Sequence, residues 1–200
     1  MNFLAHFHLA WPDPGLVAGA LEGDYRKGPL PAGDEDGITD GVRLHRAIDA
    51  HTDSHPLVSS LREDFPPRLR RYAGILIDLS FDHFLTLHWQ RYSDLELSDF
   101  AAGVYQQLAV KQSALSPAAR RTAGWLEELD VLTRYDQWGS VAASAERLGQ
   151  RFKRGNPLVG IGADLEPHAA QLEEAFLAFY PGLQSFAGRW RFTYSSQSAS

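Results

Sequence analysis

The segment YAGILIDLSFDHFLTLHW, residues 72–89, decides the fold, because its long apolar run is typical of a core helix. Asp78 and Asp82 are four residues apart within it, so a helix places both carboxylates on one face. An isolated ionised carboxylate among such apolar neighbours is strongly unfavourable unless a cation compensates it. We therefore predict a core helix whose two acids need a metal ion or a basic side chain.

The rest of the chain consists of short amphipathic segments between prolines and glycines. It has no sustained alternation and no Asn-Gly turn, the patterns that indicate paired strands. We predict one all-α helical domain over residues 1–192 and a serine-rich, disordered tail over 193–200. Further helices are expected over residues 2–11, 15–27, 40–55 and 57–71, from Ser98, from Ser116, from Ser140, and from Asp164 to Tyr180-Pro181.

Composition excludes several classes of function. The 200 residues include no cysteine, which excludes disulfides, zinc–thiolate sites, iron–sulfur clusters and thiol nucleophiles. The net charge of −6 argues against nonspecific nucleic-acid binding. Neither a signal peptide nor a membrane-spanning apolar stretch is recognisable. We expect a cytoplasmic protein that binds neither nucleic acid nor membrane.

Polar residues with ligand chemistry also stand outside the central segment. His45 and Asp49 are one helical turn apart, a workable ligand pair for manganese, iron, cobalt or zinc. Asp24 lies near the C-terminal end of its expected helix, where the helix dipole disfavours a carboxylate unless a cation is close. His6 and His8 are two residues apart, so a helix cannot direct both at one site.

These observations define six candidate site residues on three expected helices. They are Asp24, His45, Asp49, Asp78, Asp82 and His83. The Glu-x-x-His pairs of di-metal carboxylate bundles are missing, so a phosphoester hydrolase with a metal-activated water is favoured over a redox centre. Arg46 could bind a nonbridging phosphate oxygen. Salt bridges that only stabilise the fold remain an alternative explanation for the acids.

Five blocks of sequence together carry a family resemblance. The blocks are Asn2-Phe3-Leu4-Ala5-His6, Gly19–Tyr25 with Gly28, His45–Asp49 with Thr52-Asp53, Asp78–Leu85 with Trp89, and Phe176 with Phe179-Tyr180-Pro181. They resemble the acyl carrier protein phosphodiesterases, an unusual branch of the HD-domain metal phosphohydrolases. The resemblance implies an HD-domain-like helical enzyme, stimulated by manganese, that hydrolyses the 4′-phosphopantetheine–serine linkage of holo acyl carrier protein. The expected products are apo acyl carrier protein and 4′-phosphopantetheine.

The resemblance also implies roles for individual residues. The six candidates would form the metal centre, with Mn²⁺ expected and Mg²⁺, Fe²⁺ or Co²⁺ as alternatives. Asp82 would be essential for catalysis, Arg46 would bind the phosphate, and His6 would act as an acid that assists the departing serine oxygen. The Asp82-His83 order is the reverse of the usual HD pair.

A carrier protein is acidic, so an acidic enzyme needs a local positive surface to bind it. Arg68, Arg70 and Arg71 are the expected docking cluster. Two other functions stay open from the sequence. One is hydrolysis of a nucleotide or another small phosphodiester, and the other is a non-catalytic helical module that binds carrier protein or a metal.

Overall fold

The computed structural model describes residues 2–31, 37–152 and 155–198, with side chains up to residue 193. Its helices are α1 Phe3–Ala10, α2 Pro14–Glu22, α3 Ile38–Ser54, α4 Pro56–Asp64, α5 Pro67–Arg70, α6 Ala73–Leu87, α7 Leu97–Val110, α8 Pro117–Glu128, α9 Trp138–Gly149, α10 Gly162–Leu165 and α11 Ala169–Ser198. Short 3-10 turns lie at Trp89–Arg91, Gln112–Ala114, Val131–Thr133 and Glu166–His168. These ranges contain no strand, so the all-α prediction is confirmed.

Helix α6 is the central helix of the fold. Leu76, Ile77 and Phe81 on it are fully buried, and burial of each such side chain contributes about 1.5–3 kcal/mol. The helix packs against α1, α9 and α11, and the ring of Phe81 meets that of Phe176 edge-on, with centroids 5.6 Å apart. The predicted core helix is therefore confirmed.

Helices α2 and α3 approach each other closely because glycines face each other where they cross. A Cβ on Gly19 would lie 2.3 Å from the carbonyl oxygen of Ile38 and 2.5 Å from the Cα of Gly41. No larger residue fits at such distances without a shift of the backbone. This close crossing brings the C-terminal end of α2 to the middle of α3.

Several helix boundaries differ from the sequence prediction, mostly by one or two residues, but α2 ends at Glu22 and not at residue 27. Helix α3 begins at Ile38 after Gly37, whose φ is 71°, and not at Asp40. Helix α9 begins at Trp138, so Ser140 lies inside it and does not cap it. The expected Ser116 cap is confirmed, since its Oγ accepts a hydrogen bond from the backbone N–H of Ala119 at 3.3 Å. Short polar residues favour caps without fixing which of them is used.

The end of the last helix is predicted wrongly. Helix α11 continues through Pro181 to Ser198, although the sequence indicated an end at Tyr180-Pro181 and no regular structure beyond residue 192. A proline inside a helix costs about 3 kcal/mol. Tyr180 and Leu183 are completely buried on either side of it, so packing outweighs that cost. Residues 199 and 200 lie outside the described residues.

None of the helices that the structure describes combines the length and the apolarity that a membrane crossing requires.

Candidate functional site

His45 stands at the centre of a cluster of imidazoles and carboxylates. Its Nδ1 donates a hydrogen bond to the carbonyl oxygen of Ala20 at 2.8 Å. A carbonyl can only accept, so the proton of neutral His45 lies on Nδ1 and a lone pair lies on Nε2. That Nε2 faces two carboxylates, with Asp49 Oδ2 at 3.1 Å and Asp24 Oδ1 at 3.8 Å. A lone pair that faces carboxylate oxygens requires a proton or a metal ion between them.

His6 of α1 completes the cluster from the opposite side. Its ring stacks on that of His45 with centroids 3.9 Å apart and an interplanar angle of 13°. Its Nε2 lies 3.1 Å from Oδ1 of Asp49. Its Nδ1 is buried and has no hydrogen-bond partner among the described residues. One carboxylate therefore bridges two imidazoles that come from different helices.

The three residues His6, His45 and Asp49 fit a divalent metal ion. Each offers one ligand atom, and these atoms all lie within 4.8 Å of one another. Two imidazole nitrogens and a carboxylate, without a thiolate, are a donor set for manganese, iron, cobalt or zinc. The hydrogen bond from His45 to Ala20 fixes the ring and leaves Nε2 available, as second partners of metal-binding histidines do.

The pKa values at this cluster favour a neutral His6 and an ionised Asp49. Burial, followed by the charge of His45, lowers the pKa of His6 to about 3. Burial alone would raise the pKa of Asp49, but the hydrogen bonds with His45 and His6 outweigh it and bring this pKa well below its usual range. Metal ligands must be deprotonated, so both groups are in the form that binds a cation.

Asp24 lies at the edge of the cluster, and Asp78 interacts with it electrostatically. Asp24 follows α2 in a turn, and burial together with the charge of Asp49 raises its pKa against the opposing effect of His45. Asp78 projects from α6, and burial raises its pKa, with further increases from the charges of Asp49 and Asp53. Both carboxyls therefore interact electrostatically with Asp49, and four segments of the chain converge here.

The side chain of Asp82 lies against the backbone at the start of α1. Its side chain is completely buried, and its two oxygens accept hydrogen bonds from the backbone N–H groups of Leu4 at 2.8 Å and Ala5 at 3.1 Å. Burial raises its pKa to about 7 against the opposing effect of these two bonds. The first turn of a helix leaves such N–H groups without partners. Asp82 therefore caps α1 from a distant helix, and both oxygens are occupied.

His83 and Arg46 also bind backbone groups. Nδ1 of His83 donates to the carbonyl oxygen of Tyr135 at 2.6 Å, and its ring packs against Trp138. The guanidinium of Arg46 donates to the carbonyl oxygens of Arg26 at 2.7 Å and Gly28 at 2.8 Å. His83 therefore faces α9 and not the cluster, while Arg46 holds the turn that carries Asp24. Neither orientation can be read from residue spacing.

The expected docking arginines are partly engaged within the chain. Arg68 forms a salt bridge with Asp164, and Nε of Arg70 donates to the carbonyl oxygen of Phe65 at 3.1 Å. Arg71 is exposed. Two of these three guanidiniums therefore already bind groups of this protein.

Sequence reasoning missed the pairing of His6 with Asp49 and a cavity beside Asp24. The sequence prediction assigned His6 the role of a proton donor. The position of His6 in the Asn2–His6 block, which does not include His8, could have indicated that His6 belongs to the cluster. The cavity has a volume of about 610 Å³, and most of its lining comes from residues 121–151. That region carries no recognisable motif, and only its basic residues, among them Arg121 and Arg151, were a usable signal.

Comparison with known proteins connects this geometry to a family. The family model described as acyl carrier protein phosphodiesterase matches residues 1–183. Proteins named acyl carrier protein phosphodiesterase from Pectobacterium atrosepticum and Klebsiella pneumoniae are 33% and 35% identical to this chain. In both cases the similarity covers 94% of this chain and 97% of the relative. The relative of the same name from Escherichia coli O157:H7 is 32% identical over 94% of this chain and 98% of its own length. No solved structure is significantly similar to the chain.

Proposed function

Since the chain belongs to the acyl carrier protein phosphodiesterase family, we propose that it hydrolyses the phosphodiester between 4′-phosphopantetheine and a serine of holo acyl carrier protein. The observation that supports this most directly is the cluster of His6, His45 and Asp49, whose ligand atoms lie within 4.8 Å of one another. The relatives named above align with this chain over nearly their whole length. The lack of cysteine agrees with a cytoplasmic location.

His6, His45 and Asp49 would hold the metal ion, with Asp24 and Asp78 as further oxygen ligands. The mixed nitrogen and oxygen set favours Mn²⁺, with Mg²⁺, Fe²⁺ or Co²⁺ as alternatives. When bound, a divalent cation neutralises charge on the phosphoryl oxygens and lowers the pKa of water at the centre.

In the reaction, water attacks phosphorus and the bond from phosphorus to the serine oxygen breaks. One proton of the water ends on the serine oxygen, so the products are apo carrier protein and 4′-phosphopantetheine. His6 fits the role of a ligand better than that of an acid, because burial lowers its pKa to about 3 and so disfavours the imidazolium form near neutral pH. Asp49 stays ionised and keeps both imidazoles oriented through its two oxygens.

The other sequence candidates support the site from outside. Asp82 caps α1 and thereby orients His6. Arg46 fixes the turn that carries Asp24, and its bonds to carbonyl oxygens leave it poorly suited to bind a phosphate. His83 fixes the start of the segment that leads to α9.

The test is release of 4′-phosphopantetheine from holo acyl carrier protein, measured by mass spectrometry after treatment with EDTA and again after addition of Mn²⁺. We expect no product with EDTA and full recovery with Mn²⁺. Cyclic and linear nucleotides serve as competing substrates. Faster turnover of a nucleotide than of holo carrier protein, or binding of holo carrier protein without any product, would contradict the proposal.

A further inference from the structure

A cavity of about 610 Å³ has Asp24 in its wall. Most of its other lining residues come from α8, from α9 and from the segment between them. Sites for small molecules have volumes of roughly 300–1,000 Å³. Because Asp24 belongs both to this wall and to the cluster, a chain of atoms attached to a phosphate at the cluster can enter the cavity directly.

The floor of the cavity is apolar and partly exposed. Leu79 of α6 contributes to it, together with Trp125 and Leu129 from the end of α8. Trp125 is 38% exposed and Leu129 is 39% exposed, although large apolar side chains are stabilised by burial. An exposed apolar surface inside a concave site is typical of ligand binding.

Neutral polar groups interrupt this apolar floor. Ser140 is among the lining residues, and its Oγ is buried and has no hydrogen-bond partner among the described residues. A buried hydroxyl without a partner is unfavourable by about 1–3 kcal/mol. Asn2 adds an amide to the same wall. The floor therefore suits a ligand that is largely apolar and carries amide groups at intervals.

Four arginines line the same cavity, in a chain whose net charge is −6. They are Arg121, Arg134, Arg147 and Arg151, and all four are exposed. In the part of the chain that the structure describes, none of them forms a salt bridge, and Arg147 donates only to Oγ of Ser144. Guanidiniums without a carboxylate partner are available to an acidic ligand.

We infer that this cavity binds the pantetheine arm of the substrate, with the arginines facing the acidic carrier protein around its modified serine. The inference rests on the proposed function. The gem-dimethyl and methylene groups of the arm pack on Trp125 and Leu129, and its amides bond with Ser140 and Asn2. The four arginines, and not Arg68, Arg70 and Arg71, then form the docking surface.

Direct binding of the product tests the cavity without any need for hydrolysis. Isothermal titration compares 4′-phosphopantetheine with inorganic phosphate, and we expect the former to bind at least about tenfold tighter, since the arm adds buried apolar area. Leu129→Trp fills the cavity and should remove that advantage. Val110→Trp is the matched control, because Val110 lies on α7 outside the cavity and is 73% exposed. Equal affinity for both ligands, or an unaltered advantage in Leu129→Trp, would overturn the inference.

Steady-state kinetics test the arginines. Arg121→Glu combined with Arg134→Glu should raise KM for holo carrier protein at least about tenfold and weaken its salt dependence, because the charges act on encounter. Arg91→Glu and Arg70→Glu with Arg71→Glu are the matched controls, with circular dichroism to verify folding. Two results would contradict the inference. One is a wild-type KM in Arg121→Glu with Arg134→Glu, and the other is a larger rise in KM in Arg70→Glu with Arg71→Glu. If the wild type releases no product at all, the proposed function fails and the titration still decides the cavity.

Discussion

Helices α3 and α6 both carry histidine and aspartate side chains, yet these side chains make different contacts. On α3, His45 and Asp49 face each other across one turn, and their Nε2 and Oδ2 atoms are 3.1 Å apart. On α6, Asp82 gives both oxygens to the backbone of α1, and His83 binds the carbonyl of Tyr135. The pair on α3 lies in the candidate metal site, whereas Asp82 and His83 of α6 connect distant parts of the fold.

For the two aspartates the difference follows from their depth in the fold. Asp82 has no exposed surface, so both its oxygens must find partners inside the protein, and the free N–H groups of α1 supply them. The side chain of Asp49 is 41% exposed, so it can remain ionised while it faces an open centre. A buried acid therefore indicates a structural contact until its partners are known.

The largest expected effect concerns α3. Asp49→Asn removes the carboxylate that bridges His6 and His45, and we expect hydrolysis and Mn²⁺ affinity to fall by more than about 100-fold. The free energy of unfolding should change by less than about 1 kcal/mol, because the pairs at Asp49 are partly exposed. Product release, Mn²⁺ titration and urea unfolding measure the three quantities. Activity of Asp49→Asn near that of the wild type would show that Asp49 of α3 is not part of the metal centre.

Substitution of Asp82 on α6 should mainly reduce the stability of the fold. Asp82→Ala leaves two buried N–H groups without partners, so we expect the free energy of unfolding to fall by about 2–5 kcal/mol. Hydrolysis should decline as well, because α1 carries His6. Asp82→Asn, which keeps one acceptor, should lose about half as much stability. If Asp82→Ala unfolds like the wild type but no longer binds Mn²⁺, Asp82 is a ligand and the contrast between the helices fails.

A smaller effect on Mn²⁺ affinity is expected at Gly23, which leaves space for the ring of His45. A Cβ on Gly23 would lie 2.4 Å from Cγ of His45, so Gly23→Ala must displace the ring. Mn²⁺ affinity should fall by about 10–100-fold, as it does when the orientation of a ligand is disturbed. Gly188→Ala in α11, where a Cβ meets nothing within 4 Å, is the control. Equal Mn²⁺ affinities of the two variants would show that the orientation of the ring does not matter.

The smallest effect is expected at His83. His83→Gln keeps a donor for the carbonyl of Tyr135, so hydrolysis and Mn²⁺ affinity should be unchanged, and stability should fall by less than about 1 kcal/mol. His83→Ala leaves that carbonyl without its partner and should lose about 1–3 kcal/mol. Mn²⁺ titration of both variants measures this, and a loss of affinity in His83→Gln would return His83 to the metal centre.

His83 also makes the free energy of unfolding depend on pH. Burial lowers the pKa of His83 against the opposing hydrogen bond to Tyr135, so the unfolded chain takes up a proton at a higher pH than the folded protein. The free energy of unfolding therefore falls as pH drops below about 6.5. His83→Gln lacks this contribution, so the stability advantage of the wild type over it should shrink between about pH 7 and pH 5. A constant difference in urea unfolding would contradict the burial of the ring.

The sequence by itself determined the helical class, the central helix at residues 72–89 and the blocks that identify the family. These depend on apolar periodicity and local motifs, which are properties of neighbouring residues. It also placed Asp24, His45 and Asp49 among the candidate site residues. Helical spacing puts His45 and Asp49 on one face.

Only the tertiary structure decided which of these groups meet. The approach of Gly19 to Gly41, the stacking of His6 on His45 and the capping of α1 by Asp82 join residues that are far apart in the chain. The cavity likewise unites Asp24 with residues of α8 and α9. Helical periodicity gives the direction of a side chain around its own axis, whereas the partner on the other side depends on how separate helices pack.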